Sequence, residues 1–147
     1  MEVLRDIDVD ARTDGAAAVT IGAFDGVHLG HRALIAALRR RAADEGLRTA
    51  VVTFDRHPAS VVRPESAPLL LTDLDQKLEL LADTGVDYAY VVHFDEQRAA
   101  ESAEEFVIDD LMERLDARLV VVGADFHFGR GRAGNVELLR TMGAALG

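Results

Sequence analysis

Two histidines, His28 and His31, close a ten-residue segment, Gly22-Ala23-Phe24-Asp25-Gly26-Val27-His28-Leu29-Gly30-His31. The segment follows an apolar run at 16–21 and leads into an amphipathic stretch. Strand, glycine-rich turn, paired histidines and helix, in that order, make a site for nucleotide phosphates. Glycines let the main chain approach a phosphate chain, the first helical turn offers unpaired N–H groups, and two imidazoles three residues apart add donors on the same side. As donors they can neutralise charge on a transferring phosphoryl centre, so the chemistry such a site serves is nucleotidyl transfer. Two other readings of the pair stand beside it: a histidine that only caps the helix or packs locally, and the beginning of a zinc site, for which the pattern supplies no third ligand nearby.

These residues need a scaffold, and the rest of the chain describes one. Apolar runs at 17–23, 49–54, 88–94 and 119–123 alternate with helical periods, the pattern of βαβ units around a parallel sheet. Leu34, Ile35, Leu38 and Ala42 form the apolar face of a first helix that stops at Gly46. Thr72 is placed to cap a second helix, which buries Leu74, Leu78 and Leu81 and ends at Gly85. Ser102 and Glu105 form a capping box for a third, with Val107, Leu111 and Leu115 on one face, and Asn135 caps a last helix from about Val136. The stretch 55–71, with all three prolines, is the longest loop. The acidic residues Glu101, Glu104, Glu105, Asp109 and Asp110 read as a solvated helix face. The predicted fold class is α/β, an open parallel sheet with helices on both faces. Such sheets bind ligands at the carboxyl ends of their strands, where 22–31, 53–58 and 123–135 would meet.

Composition narrows the partners. The chain has 147 residues, one domain's worth, with 49% hydrophobic and 29% charged residues, as in ordinary globular proteins. A formal charge of −10 disfavours nucleic acid, which is bound through an excess of Lys and Arg. No apolar run reaches membrane-spanning length, and the first residues carry no secretory pattern. The absence of cysteine excludes disulfides and thiolate metal sites and fits a cytoplasmic protein. Lys77 is the only lysine among many arginines, a bias that reads as genome composition.

Beyond the histidine motif, the chain carries Thr53-Phe54-Asp55-Arg56-His57-Pro58, Leu71-Thr72, Gly85-Val86-Asp87, Phe94-Asp95, Glu105-Phe106-Val107 and the segment Val122-Gly123-Ala124-Asp125-Phe126-His127-Phe128-Gly129-Arg130-Gly131-Arg132-Ala133-Gly134-Asn135. The first motif resembles the HxGH signature of the nucleotidyltransferase superfamily. Together, in order and spacing from about Val19 onward, these segments resemble the adenylyltransferase module of bacterial bifunctional riboflavin kinase/FAD synthetases.

That resemblance implies a Rossmann-like nucleotidyltransferase fold and transfer of AMP from ATP to FMN, giving FAD and pyrophosphate with Mg²⁺ present. It implies that His28 and His31 stabilise charge on the α-phosphate and leaving pyrophosphate without being covalently modified. The N–H groups of Gly22, Ala23 and Phe24, with Asp25 and Gly30 in the same segment, line the nucleotide side. Asp25 reads better as a carboxylate bracing the turn than as a catalytic acid. Phe54, His57, Phe126 and Phe128 are candidates for the flavin side, with Phe54 and Phe128 favoured; Phe is nevertheless more often buried than ligand-facing. Asp125 could accept a hydrogen bond from a ribose or flavin hydroxyl, and Arg130 and Arg132 could hold phosphates or stand in a solvated loop.

Members of that family continue through another strand and then a riboflavin kinase domain. The expectation is therefore an FMN adenylyltransferase domain over 1–147 with its last strand missing. An apolar helix face of Leu138, Leu139, Met142 and Leu146 would then be short of partners, and no riboflavin kinase activity is expected from these residues. The competing readings are a nucleotidyltransferase acting on another phosphorylated small molecule and a nucleotide- or flavin-binding module without turnover.

Overall fold

The computed structural model describes residues 1–27, 29–56, 65, 73–123 and 126–146. The elements are β1 (Glu2–Arg5), β2 (Ala17–Ile21), α1 (Leu29–Glu45), β3 (Arg48–Phe54), α2 (Leu74–Ala82), β4 (Tyr88–Val92), α3 (Glu96–Ala99), α4 (Ala103–Phe106), β5 (Ala117–Val120) and α5 (Val136–Leu146). A π-helical segment, Val107–Met112, continues α4.

All five strands run parallel in the order β1-β4-β3-β2-β5. Every residue of β2 and β4 is buried, which is why these strands read as continuous apolar runs. Alternate residues serve opposite faces. Val19, Ile21, Val52, Tyr90 and Val92 pack with Phe106, Leu111 and Leu115, whereas Ala18 meets Leu38 and Ala42 of α1, and Val51 meets Ile35 and Leu81. Helices therefore cover both faces, as predicted.

Several details differ from the sequence reading. β1 was not foreseen, because a four-residue edge strand that buries only Leu4 has no periodic signal. Thr72 lies outside the described residues; α2 is capped by Asp73, which accepts from Gln76 N–H and receives the Gln76 side chain on its own N–H. The acidic residues after α3 are not all solvated. Asp110 is buried, and it accepts from the Tyr90 hydroxyl and from Arg98. Burial and the bond to Asp110 push the Tyr90 phenol well up, so it remains a donor. Leu138, Leu139 and Met142, expected to lack partners, pack against the main core, and Asn135 caps α5 at 2.9 Å from Leu138 N.

The amino-terminal edge of the sheet is braced by polar ties. Asp87 accepts from Thr49 N–H and hydroxyl, and the Tyr88 hydroxyl donates to Asp14 at 2.7 Å. Within the Gly85-Val86-Asp87 motif, Asp87 is thus structural and stands at the end opposite the strand carboxyl termini.

Thr20 faces α1, and its Oγ1 is buried without a hydrogen-bond partner among the described residues. An unsatisfied buried hydroxyl costs about 1–3 kcal/mol. Thr20→Val, which keeps the shape, is expected to raise unfolding stability by about 1 kcal/mol, read from the urea midpoint. A loss of stability would show that the hydroxyl has a partner.

Candidate active site

β2, β3 and β4 step in one direction across the sheet, and β5 returns to the far side of β2. The order therefore switches between β2 and β5, and at such a point the loops leaving two neighbouring strands diverge and open a crevice. The turn 22–31 leaves β2 and the loop 121–134 leaves β5, so the two segments that carry most of the sequence-predicted residues flank the switch.

The turn is wound more tightly than its glycines suggest. Phe24 and Val27 hold φ of 52° and 43°, beside Gly26 at 76°. Positive φ is uncommon for a phenylalanine and an outlier for a β-branched valine, so the turn stores strain that its surroundings must hold. Gly22 does not act as a free donor, because its N–H bonds Val52 O at 3.0 Å. Its lack of a side chain matters instead: a Cβ there would lie 3.1 Å from the Phe24 ring. That ring, 2% exposed, is core, packed with Val27, Ile35, Val51 and Val86. Among the described residues, the N–H groups of Ala23 and Phe24 form no backbone–backbone hydrogen bond.

His31 is half-buried in the first turn of α1. Its ring meets Phe24 edge-on, centroids 4.9 Å apart at 64°, so the buried phenylalanine fixes the imidazole plane. Gly30 precedes it in the same turn, and Asp25 opens the short helical turn Asp25–Val27. His28, His57 and Asp125 lie outside the described residues.

Lys77, set aside in the sequence as compositional bias, stands beneath this turn. It is 7% exposed, and its Nζ donates to Phe54 O at 2.9 Å and to Thr53 Oγ1 at 3.3 Å. Thr53 in turn donates to Ala23 O at 3.0 Å. Burial lowers the Lys77 pKa, and the charges of Asp25 and Asp55 oppose that shift. The signal available in the sequence was its rarity, together with its place on the otherwise apolar stripe of α2.

At the ends of β3 and β4, Asp55 joins two strands. It accepts from Phe94 N–H at 3.0 Å and pairs with His93 Nδ1. Partial burial works to raise the Asp55 carboxyl, but the Phe94 N–H and the His93 imidazole outweigh it and leave it below the usual range. The hydrogen bond and charge of Asp55 hold His93 above its ordinary value. The raised His93 pKa contributes stability complete below about pH 6.5 and lost as pH rises through the folded value. The lowered Asp55 pKa contributes stability complete above about pH 4 and lost as pH falls. The pair therefore steadies this rim best between about pH 4 and 6.5. Proton NMR of His93 is expected to give a midpoint above the ordinary one, falling toward it in Asp55→Asn, where Asp95 still acts on the ring.

Phe54, expected near a ligand, is half-buried and meets Phe94 edge-on at 5.6 Å. Phe128, also favoured for the ligand, is 9% exposed and belongs to the main core, stacked on the half-buried Phe126 at 5.4 Å. Burial leaves it little face for an incoming ring. Arg130 and Arg132 stand exposed on the loop beyond. That loop is pressed onto the start of α4: a Cβ on Gly129 (φ 77°) would lie 2.6 Å from Ala103 N, and one on Gly134 would lie 2.7 Å from Ala103 Cβ. Arg130 N–H donates to Glu101 O at 2.8 Å. Among the described residues no group of three or more His, Asp or Glu could hold a metal ion, and no helix is long and apolar enough to cross a membrane.

A family profile described as FAD synthetase matches residues 10–147. The chain belongs to the FAD synthetase family. Relatives named bifunctional riboflavin kinase/FMN adenylyltransferase include one from Escherichia coli K12, 42% identical over 129 residues, covering 88% of this chain and 41% of that protein. A putative member from Geobacillus thermodenitrificans is 40% identical over 122 residues, covering 83% and 65%. The chain thus spans less than two thirds of each of these relatives. A solved structure described as a macrolide-efflux protein from Streptococcus pneumoniae shares the fold, with TM-score 0.80 and 25% identity over 96% of this chain and 47% of that one. The matched range contains both the strained turn 22–31 and the loop after β5.

Proposed function

We propose that this chain transfers AMP from ATP to the phosphate of FMN, forming FAD and releasing pyrophosphate. The reading is supported by the family match together with the placement of the histidine-bearing turn after β2 and the Gly-Arg-rich loop after β5, on either side of the switch in strand order. A phosphate oxygen of FMN attacks the α-phosphorus of ATP; the new P–O bond forms as the bond to the bridging oxygen of pyrophosphate breaks. FMN's phosphate is already largely dianionic near pH 7, with a second pKa of about 6, so no strong base is needed. The chain's task is alignment and charge stabilisation. His31 and His28 donate to the α-phosphate and leaving group, the Ala23 and Phe24 N–H groups to the triphosphate, and Asp25 braces the turn. The half-buried rings of Phe54 and Phe126 border the flavin, with His57 and Asp125 completing that side, and Arg130 and Arg132 reach phosphate oxygens.

Mg²⁺ would enter with the ATP phosphates, since it usually binds through one or two carboxylates plus substrate phosphates. When bound it adds charge neutralisation on the phosphates. The riboflavin kinase activity in the relatives' names is not assigned to these residues.

The test incubates the chain with FMN, ATP and Mg²⁺ and resolves FAD by chromatography. FAD is expected. Turnover of another phosphorylated acceptor with none of FMN would replace the flavin reading, and binding of both ligands without turnover would make the chain a binding module.

A further inference from the structure

The turn that carries the site holds Phe24 in a conformation it would not choose, and the structure contains what holds it. Ala23 O accepts from the Thr53 hydroxyl at 3.0 Å, and that hydroxyl accepts from Lys77 Nζ at 3.3 Å. The hydroxyl has a single proton. An ammonium, which can only donate, therefore leaves that proton to Ala23. Thr53 is fully buried and Lys77 nearly so, which shields the chain of bonds from competition by water. Lys77 also donates to Phe54 O at 2.9 Å, which anchors its Nζ at the end of β3.

In a trans peptide the carbonyl of one residue and the N–H of the next point opposite ways. Tying Ala23 O toward β3 therefore aims the Phe24 N–H away from β3. Rotating that peptide by half a turn would take Phe24 from φ 52° to the ordinary negative-φ region and relieve the strain. It would also turn a carbonyl oxygen to where the N–H had been, and that dipole repels phosphate. The relaxed turn is thus the wrong one for an anion.

We propose that Lys77, acting through the Thr53 hydroxyl, is a positioning residue that holds the Ala23–Phe24 peptide in its strained orientation, so that the Phe24 N–H serves as a donor to the nucleotide triphosphate. The inference rests on the reading of this turn as the ATP site. Lys77 itself touches no substrate. It works from below, as the origin of a hydrogen-bond chain that ends in the site.

The experiment compares the parent chain with Thr53→Val and Lys77→Met, which remove the hydroxyl and the ammonium at nearly constant shape, and with Thr53→Ser, which keeps the hydroxyl. Two readouts are taken. NMR backbone shifts of Phe24 report the sign of φ in the ligand-free chain, and titrations with Mg-ATP and with FMN report affinity. Thr53→Val and Lys77→Met are expected to lose the positive-φ signature and bind ATP about 10-fold or more weakly, with FMN affinity kept and Thr53→Ser restoring both. The proposal is overturned if both variants keep the signature, or if ATP affinity stays within about twofold of the parent after the signature is lost. Failure of the parent chain to bind ATP would overturn the underlying reading of the turn and the proposal with it. Because that failure shows in the parent, it is distinct from a variant that binds as well as its parent.

Discussion

Exchange of His31 for alanine is expected to slow FAD formation by about 10²-fold or more, the usual scale for losing one preorganised donor to a developing oxyanion. The imidazole is half-buried in the first turn of α1 and lies edge-on to a phenylalanine that is itself core. A donor fixed before substrate arrives needs no reorganisation in the transition state, so its removal should fall on kcat more than on the KM for either substrate. His31→Gln, with an amide donor, should recover part of the loss. Adenylyl transfer close to the parent rate in a chain lacking both His28 and His31 would remove the role assigned to them.

The largest expected loss of stability comes from Arg98→Met. Arg98 donates to Asp6 at 2.8 Å, Asp110 at 2.6 Å and Glu101 at 2.8 Å, and none of these side chains is more than 20% exposed. Asp6 also accepts from His93 N–H, and Asp110 from Tyr90, so one guanidinium ties β1, β4, α3 and the π-helical segment together. Removing one partner of a buried ionic cluster costs about 3–5 kcal/mol, because the remaining charges lose their compensation. A second signature separates lost charge from lost packing. Burial already holds the Glu101 carboxyl above its usual range while Arg98 opposes that shift. Without the guanidinium it rises further, the native state then binds more protons than the unfolded chain, and the variant should regain stability as pH falls. Denaturant titrations at two pH values measure both effects, and a loss under about 1 kcal/mol would show the cluster to be marginal.

What the sequence disclosed follows from periodicity. Fully buried parallel strands leave continuous apolar runs, and helix faces leave spaced ones, so β2 to β5 and the long helices were visible, along with the Ser102 and Asn135 caps. Edge strand β1 was not, having one buried side chain. The histidine turn was legible as a motif, but its mechanics were not. The glycines were read as giving the main chain access to a phosphate, but positive φ also falls on Phe24 and Val27, and φ at a non-glycine leaves no mark in a sequence. Lys77, Asp55 and His93 were passed over because each takes its meaning from a partner more than twenty residues away. Asp110 shows the same limit from the other side: acidic neighbours suggested water, and only the fold reveals Arg98 and Tyr90 around it.

Gly129, Ala103 and Gly134 meet with no room left between them. A methyl group on Gly129 or Gly134 would meet Ala103 at under 3 Å, so something in the seat of the Arg130-bearing loop on α4 would have to shift. The seat of this loop on α4 is thus fixed by two side chains that are not there, and its closeness lasts only as long as both positions stay bare.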